Sequence, residues 1–490
     1  MKFTDFQKYA AQGNLIPVYR EQLADLETPV SVLSRFTNDE NVFLLESVEG
    51  GERFGRYSFI GINPSAVFLV RQGKAYLQTA DGEEAVGEGV TALRDIMKKY
   101  RAVQLPELPP LFGGAVGYFS YETVNTFEEL PAPKAELPYP EVRLLMVDDM
   151  IIFDNLRHTI KIVACAKTEN FANLRDAYDD ANARIDRISA LLEKPFKPET
   201  GEVEKVPALV SNMTSQEYCS MVEKAKEMIV AGEIIQVVLS QKFSAPSQVP
   251  PLRLYRALRL INPSPYTFFL KTGNLVLIGS SPETMVKLED GKSSLLPIAG
   301  TRKRGNTPGK DRLLADELLN DGKERAEHLM LVDLGRNDLG KVAVPGSVQV
   351  KSFMNVERYS HVMHLVSDIS AQLAEGCDSF DLLKATFPAG TLSGAPKIRA
   401  MEIINELEKI PRGVYGGAVG YLSYTGNLDL AITIRTLEVL DGIVSIQAGA
   451  GIVYDSVPLK EYEETLNKAA AMFKAVELAA NGLHIENDGE

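Results

Sequence analysis

The sequence predicts an α+β fold: a large antiparallel β-sandwich with helices on the outside, internally pseudo-duplicated. Three observations point to it. Strand-rich apolar stretches recur with helical segments between and after them, which suits packed layers around a shared core. A ten-residue string occurs twice, as GGAVGYFSYE from Gly113 and GGAVGYLSYT from Gly416, first differing at Phe119 against Leu422. That period is far too long for a solenoid and reads as one doubling of a unit. The composition of 490 residues, 45% hydrophobic, 24% charged and 8% aromatic, is that of an ordinary globular chain of one to four domains, neither disordered nor collagen-like.

Taken in order, the start MKFTDFQKYAAQGN has no apolar signal-peptide core. The richest apolar run, LLMVDDMIIF from Leu144, is interrupted by Asp148 and Asp149, and no run reaches the ~20 residues that span a bilayer. Cys165, Cys219 and Cys377 form no CxxC pair, which fits a reducing compartment and disfavours a cysteine zinc site. The expectation is a cytoplasmic protein with no membrane partner. With 52 Lys+Arg against 66 Asp+Glu the net charge is −14, so nucleic acid is not an expected partner either, while a small anion held by local cations or a metal remains compatible.

Residues 170–192 have helical character. From Glu193 to Met213 the chain carries three prolines, many charges and no apolar period, and reads as a linker. This divides it into an N-terminal region, 1–192, a linker, 193–213, a C-terminal region, 214–480, and a tail, 481–490. The C-terminal region opens with a capping-box pattern, Thr214 and Glu217, followed by Tyr218, Met221, Val222, Ala225, Met228 and Ile229 at helical spacing and Gly232 as a stop. Strands are expected from Ile234 (IIQVVLS), Leu275 (LVLIGS), Leu428 (LDLAITIRTLEVL) and Ile443 (IVSIQAGAGIV). Helices are expected over 311–333, broken near Gly322, and over 380–384, 395–407 and 459–480.

Four features bear on chemistry. Glu324 with Glu327, and Glu461 with Glu464, are i,i+3 pairs on predicted helices, so each pair shares a face. Two such pairs facing each other would make an all-oxygen Mg²⁺ site. The same acids also serve a helix dipole in its first turn, and on the last helix both fall off the apolar stripe Tyr462, Leu466, Ala469, Phe473, Val476 and Ala480. Gly449 and Gly451 in QAGAGIV allow either close approach of backbone N–H groups to an anion or tight strand packing. The string is not GxGxxG, and GNTPGKD after Arg304 is not a Walker A loop. Arg435 inside the apolar AITIRTL needs an anionic partner, whether a structural carboxylate or a carboxylate substrate, whereas the run 302–304, RKR, reads as a solvated loop. His361 and His364 in ERYSHVMHLVS are either proton carriers or packed residues, and no Ser-His-Asp or Cys-His arrangement is apparent.

Together, PIAGTRKRG at Pro297, EHLMLVDLGRNDLG at Glu327, ERYSHVMHLVS at Glu357, GTLSGAPKIRAME at Gly390, YGGAVGY at Tyr415, AITIRT at Ala431, QAGAGIVYDSVP at Gln447 and EYEETLNKA at Glu461 resemble the chorismate-utilising enzymes. Over nearly the whole chain the likeness is to their anthranilate synthase component I family. The resemblance implies Mg²⁺-dependent conversion of chorismate and ammonia to anthranilate and pyruvate. It implies Glu327 and Glu464 as metal ligands, supported by Glu324 and Glu461. Arg435 and Tyr415 would hold the enolpyruvyl carboxylate beside Gly449, Ala450 and Gly451, with Lys468 at the site. Glu283 would be the general acid and His364 the base, with Gly300, Thr301 and Thr391 lining the pocket.

Within the family, relatives that add water resemble this chain but carry lysine where it has Gln236, and aminodeoxychorismate synthases commonly carry a nucleophilic lysine where it has Ala299. Both differences favour direct use of ammonia. LLES at Leu44, GGERFGRYSFIG and NPSPYTFF at Asn262 resemble a tryptophan feedback site, implying Glu46, Ser47, Pro263, Pro265, Tyr266 and Thr267 as inhibitor contacts. Thr267 departs from the family's frequent methionine. No glutaminase region is expected, so glutamine use implies a separate amidotransferase small subunit, component II, in a heterotetramer of two large and two small subunits. Two alternatives stay open: an aminodeoxychorismate synthase component I, or a non-catalytic amino-acid-sensing protein.

Overall fold

The computed structural model describes residues 1–47, 55–194, 208–359 and 362–484. His361, all of GGERF, residues 195–207 of the linker and residues 485–490 of the tail lie outside them. Among the described residues two antiparallel sheets of 12 strands each form a sandwich with helices outside, as expected. The first sheet runs Leu15–Leu23, Thr159–Lys167, Asp149–Asp154, Tyr57–Ile62, Asn41–Glu46, Tyr266–Thr272, Leu275–Ser281, Thr436–Leu440, Ile443–Ile452, Gln236–Pro246 and Val210–Ser211, with Gly394–Ala395 also on Gln236–Pro246. The second runs Ile298–Lys303, Val362–Gln372, Lys292–Leu295, Thr284–Glu289, Leu428–Ile432, Ala418–Ser423, Gly114–Phe119, Val142–Val147, Ala66–Arg71, Lys74–Thr79 and Gly82–Glu88, with Gln349–Arg358 on Val362–Gln372.

At the middle of the second sheet the repeated string pairs with itself. Gly117 lies opposite Gly420, Ala115 opposite Leu422 and Phe119 opposite Ala418, so a pseudo-two-fold axis passes between the two glycines. Their lack of a side chain is sterically required. A Cβ at Gly117 would stand 2.1 Å from the Arg143 carbonyl oxygen, and one at Gly420 2.1 Å from that of Asp429. The first sheet is centred likewise on Asn41–Glu46 paired with Tyr266–Thr272. Each region thus contributes strands to both sheets, and one contiguous apolar core joins them.

The chain crosses from the second sheet to the first at Asp148 in one region and at 433–435 in the other. The single strand expected from Leu428 is therefore two, Leu428–Ile432 and Thr436–Leu440. Arg435 is not inside a strand but at the crossing, with φ of 50°. Apolar periodicity runs unbroken through it because both segments are buried.

The predicted capping box forms, with Thr214 accepting from the Glu217 N–H and Glu217 from the Thr214 N–H, and it starts helix Ser215–Val230. The expected helix over 311–333 is two, Pro308–Asn320 and Gly322–Gly340. They break at Asp321, whose carboxylate caps the second by accepting from the N–H groups of Lys323 and Glu324. This pair packs on Ile298–Lys303 and Val362–Gln372, and the last helix, Pro458–Ala480, packs on Ile443–Ile452. Among the described residues no helix is long and apolar enough to cross a membrane.

Candidate active site

The two helices carrying the glutamate pairs bring them within mutual influence. Burial pushes the Glu327 carboxyl up, and the charges of Glu324 and Glu464 push it further. Glu461 is likewise raised, by burial first and by Glu464 after the opposing Ser456 hydroxyl. Glu461 is only 7% exposed and lies on the buried face with Thr465, Ala469 and Met472, not off it as the apolar stripe suggested. Cations temper the repulsion: Lys468 Nζ is 2.7 Å from Glu464 Oε1, and Arg302 Nη1 is 3.2 Å from Glu324 Oε1. Arg302 also pairs with Glu317 and Asp321, and Arg304 with Asp311, so the RKR run is an ion-paired anchor rather than a solvated loop. Its partners come from helices later in the chain, which the run itself does not reveal. Among the described residues no three His, Cys, Asp or Glu side chains close into a metal cage. An all-oxygen, self-repelling set on two helices fits an ion that keeps coordination positions for water and ligand oxygens, as Mg²⁺ does.

Lys468 stands between this carboxylate cluster and the strand that carries Gly449. Its Nζ also donates to the Gly449 carbonyl at 3.0 Å. The Arg435 guanidinium donates to the Lys468 carbonyl oxygen, and among the described residues no carboxylate pairs with it. Burial lowers its pKa, opposed by Tyr415 and Glu464. The strand edge Gly449–Ala450–Gly451 runs alongside. A Cβ at Gly449 would stand 2.7 Å from Tyr415 Oη, and one at Gly451 2.6 Å from Gln236 Nε2 and 4.0 Å from Glu327 Oε1. This edge therefore spans from the Tyr415 hydroxyl to a carboxylate of the metal-type pair.

Two proton-carrying groups flank the site. Glu283 sits between Leu275–Ser281 and Thr284–Glu289, where the chain passes from one sheet to the other, and its carbonyl accepts from Ile432 N. Burial pushes its carboxyl up to about 7, opposed by the Thr391 hydroxyl and by the Lys468 charge. Glu283, Thr391 and Ile432 line an open pocket together with Leu295 and Leu331. His364 Nδ1 lies 2.9 Å from the Gly300 carbonyl oxygen and 3.1 Å from Thr301 Oγ1. A carbonyl only accepts, so Nδ1 carries a proton, and when the ring is neutral its basic lone pair falls on Nε2. Gly300 makes this contact from a bulge at φ of 63°. A Cβ there would stand 3.0 Å from Glu324 Oε2, which places the histidine's anchor against the metal-type helix.

The residues read as an inhibitor site lie near one another in the first sheet but do not share one face: Glu46 and Thr267 are paired, whereas the Tyr266 side chain reaches the second sheet. Thr267 lies opposite Glu46, and Ser47 follows it. Glu46 accepts from Tyr255 Oη and Arg259 Nε, each at 2.5 Å. Pro263 and Pro265 flank Ser264, whose carbonyl accepts from the Thr267 hydroxyl at 3.3 Å. Tyr266 Oη donates to Asp429 and stands 2.9 Å from the hydroxyl of Thr284, the neighbour of Glu283. Sequence reasoning missed Lys323, Ser456 and Thr284, polar residues in no distinctive pattern.

The family of chorismate binding enzymes matches residues 40–474. The chain is 48% identical to anthranilate synthase component 1 of Acetivibrio thermocellus, over 96% of this chain and 97% of that protein. It is 45% identical to that of Aquifex aeolicus, over 98% of each. The crystal structure of anthranilate synthase component I from Streptococcus pneumoniae superposes with a TM-score of 0.77 at 36% identity, covering 87% of this chain and 93% of that one. The menaquinone-specific isochorismate synthase of Escherichia coli shares the fold, with a TM-score of 0.72 at 19% identity over 97% and 98% of the two chains.

Proposed function

The chain belongs to the chorismate-binding enzyme family, among its anthranilate synthase component 1 members, and from that premise we propose how its residues turn chorismate and ammonia into anthranilate and pyruvate. Arg435 and Tyr415 bind the enolpyruvyl carboxylate, with the Gly449–Ala450–Gly451 edge fitting closely beside it. Arg435 carries the reading: it is a half-buried cation at a left-handed crossing that donates to a carbonyl and, among the described residues, has no carboxylate within ion-pair distance, so its charge is available to a ligand. Glu327 and Glu464 hold Mg²⁺, with Glu324 and Glu461 in support. When bound, the ion supplies a Lewis-acid clamp on the ring carboxylate and offsets the repulsion between that anion and the glutamates.

Ammonia adds to the ring as the 4-hydroxyl departs, and Glu283 gives that hydroxyl the proton with which it leaves as water. A carboxyl raised to about 7 still holds this proton near neutral pH. His364, with Nδ1–H fixed on Gly300 and Thr301 beside it, takes the ring proton on Nε2. The carbon–oxygen bond to the enolpyruvyl group then breaks, pyruvate leaves and the ring becomes aromatic. Gln236 and Ala299 offer no lysine to activate water or attack the ring, which supports ammonia as nucleophile.

We place this chemistry in the cytoplasm, with a component II amidotransferase subunit supplying ammonia from glutamine in a two-plus-two heterotetramer. Tryptophan inhibits at Glu46, Ser47, Pro263, Pro265, Tyr266 and Thr267. Alone, the chain uses free ammonia, best at alkaline pH. The test is chorismate with an ammonium salt and Mg²⁺. The chain contains no tryptophan, so anthranilate fluorescence is read without an indole background. Fluorescent product with equimolar pyruvate is expected. A product that retains the enolpyruvyl group would indicate aminodeoxychorismate synthesis, and no product a sensing protein.

A further inference from the structure

We propose that Arg412 is a positioning residue for the substrate subsite, holding Thr391, Tyr415 and the Gly449–Gly451 edge in register while anchored by Glu408 and by Glu122 of the N-terminal region; the role rests on the chorismate reading. Arg412 is 2% exposed, so it touches no substrate itself. Four of its five N–H donors are used. Nε and Nη2 donate to the two oxygens of Glu408 at 2.9 and 2.7 Å, Nη1 to the Leu392 carbonyl at 2.6 Å and Nη2 to the Val238 carbonyl at 2.7 Å. Leu392 follows Thr391, and Val238 lies opposite Gly451. Glu408 Oε1 in turn accepts from the N–H and the hydroxyl of Ser240, both at 2.8 Å, and Ser240 lies opposite Gly449. The guanidinium carbon stands 5.7 Å from the Tyr415 ring centre and 4.7 Å from that of Tyr121.

The connections to Leu392, Val238, Tyr415 and, through Glu408, Ser240 end on a backbone or ring at, beside or opposite a subsite residue. A planar five-donor fork fixes such distances, whereas an ammonium carries the same charge without the geometry. Stability alone does not call for the arrangement, since well-packed apolar side chains replace buried ion pairs at little loss. The N-terminal region locks it in place: Glu122 Oε1 accepts from the N–H groups of Arg412 and Gly413 at 2.7 and 3.2 Å. Glu122 ends the first copy of the repeated string, where the second copy has Thr425. The duplicated halves thus differ at the residue that reaches across to the subsite.

Steady-state kinetics of the full chain with chorismate, ammonium and Mg²⁺ test the role. In Arg412→Lys the KM for chorismate rises about tenfold or more while the KM for ammonia moves less than about twofold, because the chorismate subsite alone is loosened. Should that variant fail to fold, Glu122→Ala raises the chorismate KM in the same selective way, and Glu122→Gln, whose amide oxygen still accepts both N–H groups, restores it. An unchanged chorismate KM, a parallel rise in both KM values, or no rescue by Gln overturns the proposal. Wild-type enzyme run alongside separates the causes: turnover with unaltered variants overturns this role alone, and no wild-type turnover overturns the chorismate reading and this role with it.

Discussion

Replacing Glu283 with Gln separates what this acid costs the fold from what it does in the reaction. Its carboxyl is 9% exposed, and burial raises its pKa from 4.5 to about 7. Between those values the folded chain keeps a proton that the unfolded chain has released. Stability therefore falls as pH rises through this window and stays lowered above it. The gap corresponds to about 3 kcal/mol, fully expressed above pH 7 and absent below 4.5. A neutral amide of the same shape removes the penalty. Glu283→Gln should melt higher than wild type at pH 8 and keep only about a quarter of that advantage at pH 5. It also lacks the proton for the departing hydroxyl, so kcat should fall by ~10²–10⁴. The assays are thermal melts followed by circular dichroism at both pH values, and anthranilate fluorescence at pH 6, where the wild-type carboxyl still holds its proton. The same melting difference at both pH values, or a kcat within tenfold of wild type, would refute the assignment of Glu283 as a buried, protonated acid.

Three further outcomes are expected. His364→Asn should stop the second half of the reaction, so that an aminated ring retaining its enolpyruvyl group accumulates and pyruvate release drops by ~10²-fold or more; chromatography of the products would show it, and normal pyruvate release would argue against the histidine as base. Ser367→Ala should destabilise the chain by about 3 kcal/mol in urea titrations, because Ser367 Oγ accepts the Met354 N–H at 3.0 Å and lies 2.7 Å from Nε2 of the fully buried His328, and both partners would be stranded. Millimolar tryptophan should slow wild-type turnover with ammonia, and an unchanged rate would remove the inhibitor role of the Glu46–Thr267 cluster.

How far the sequence foretold the structure varies with the range of the interaction. The Thr214–Glu217 cap was legible because both partners lie within one turn. The doubled string GGAVGY announced the duplication, but not that the two copies would pair across a pseudo-dyad, since pairing partners are set by the whole sheet. Arg435 looked like part of one long strand because both flanks are apolar, and the sheet-to-sheet crossing that gives it its use is a tertiary event. Glu461 was judged off the packed face because apolar stripes count carbon, and a carboxylate turned toward Ser456 and the facing helix is not counted. Arg412 drew no notice, because its acceptors, at Val238, Leu392 and Glu408, are mostly far from it in the chain.

The most direct measurement is a Mg²⁺ titration of chelator-stripped enzyme, read by anthranilate fluorescence in wild type, Glu327→Gln and Glu464→Gln. If carboxylates from two helices hold the ion against the ring carboxylate, stripped wild type should be inactive, Mg²⁺ should restore it, and each variant should need at least about tenfold more for half-restoration. Undiminished anthranilate production in chelator, or one half-restoring concentration shared by all three proteins, would contradict it.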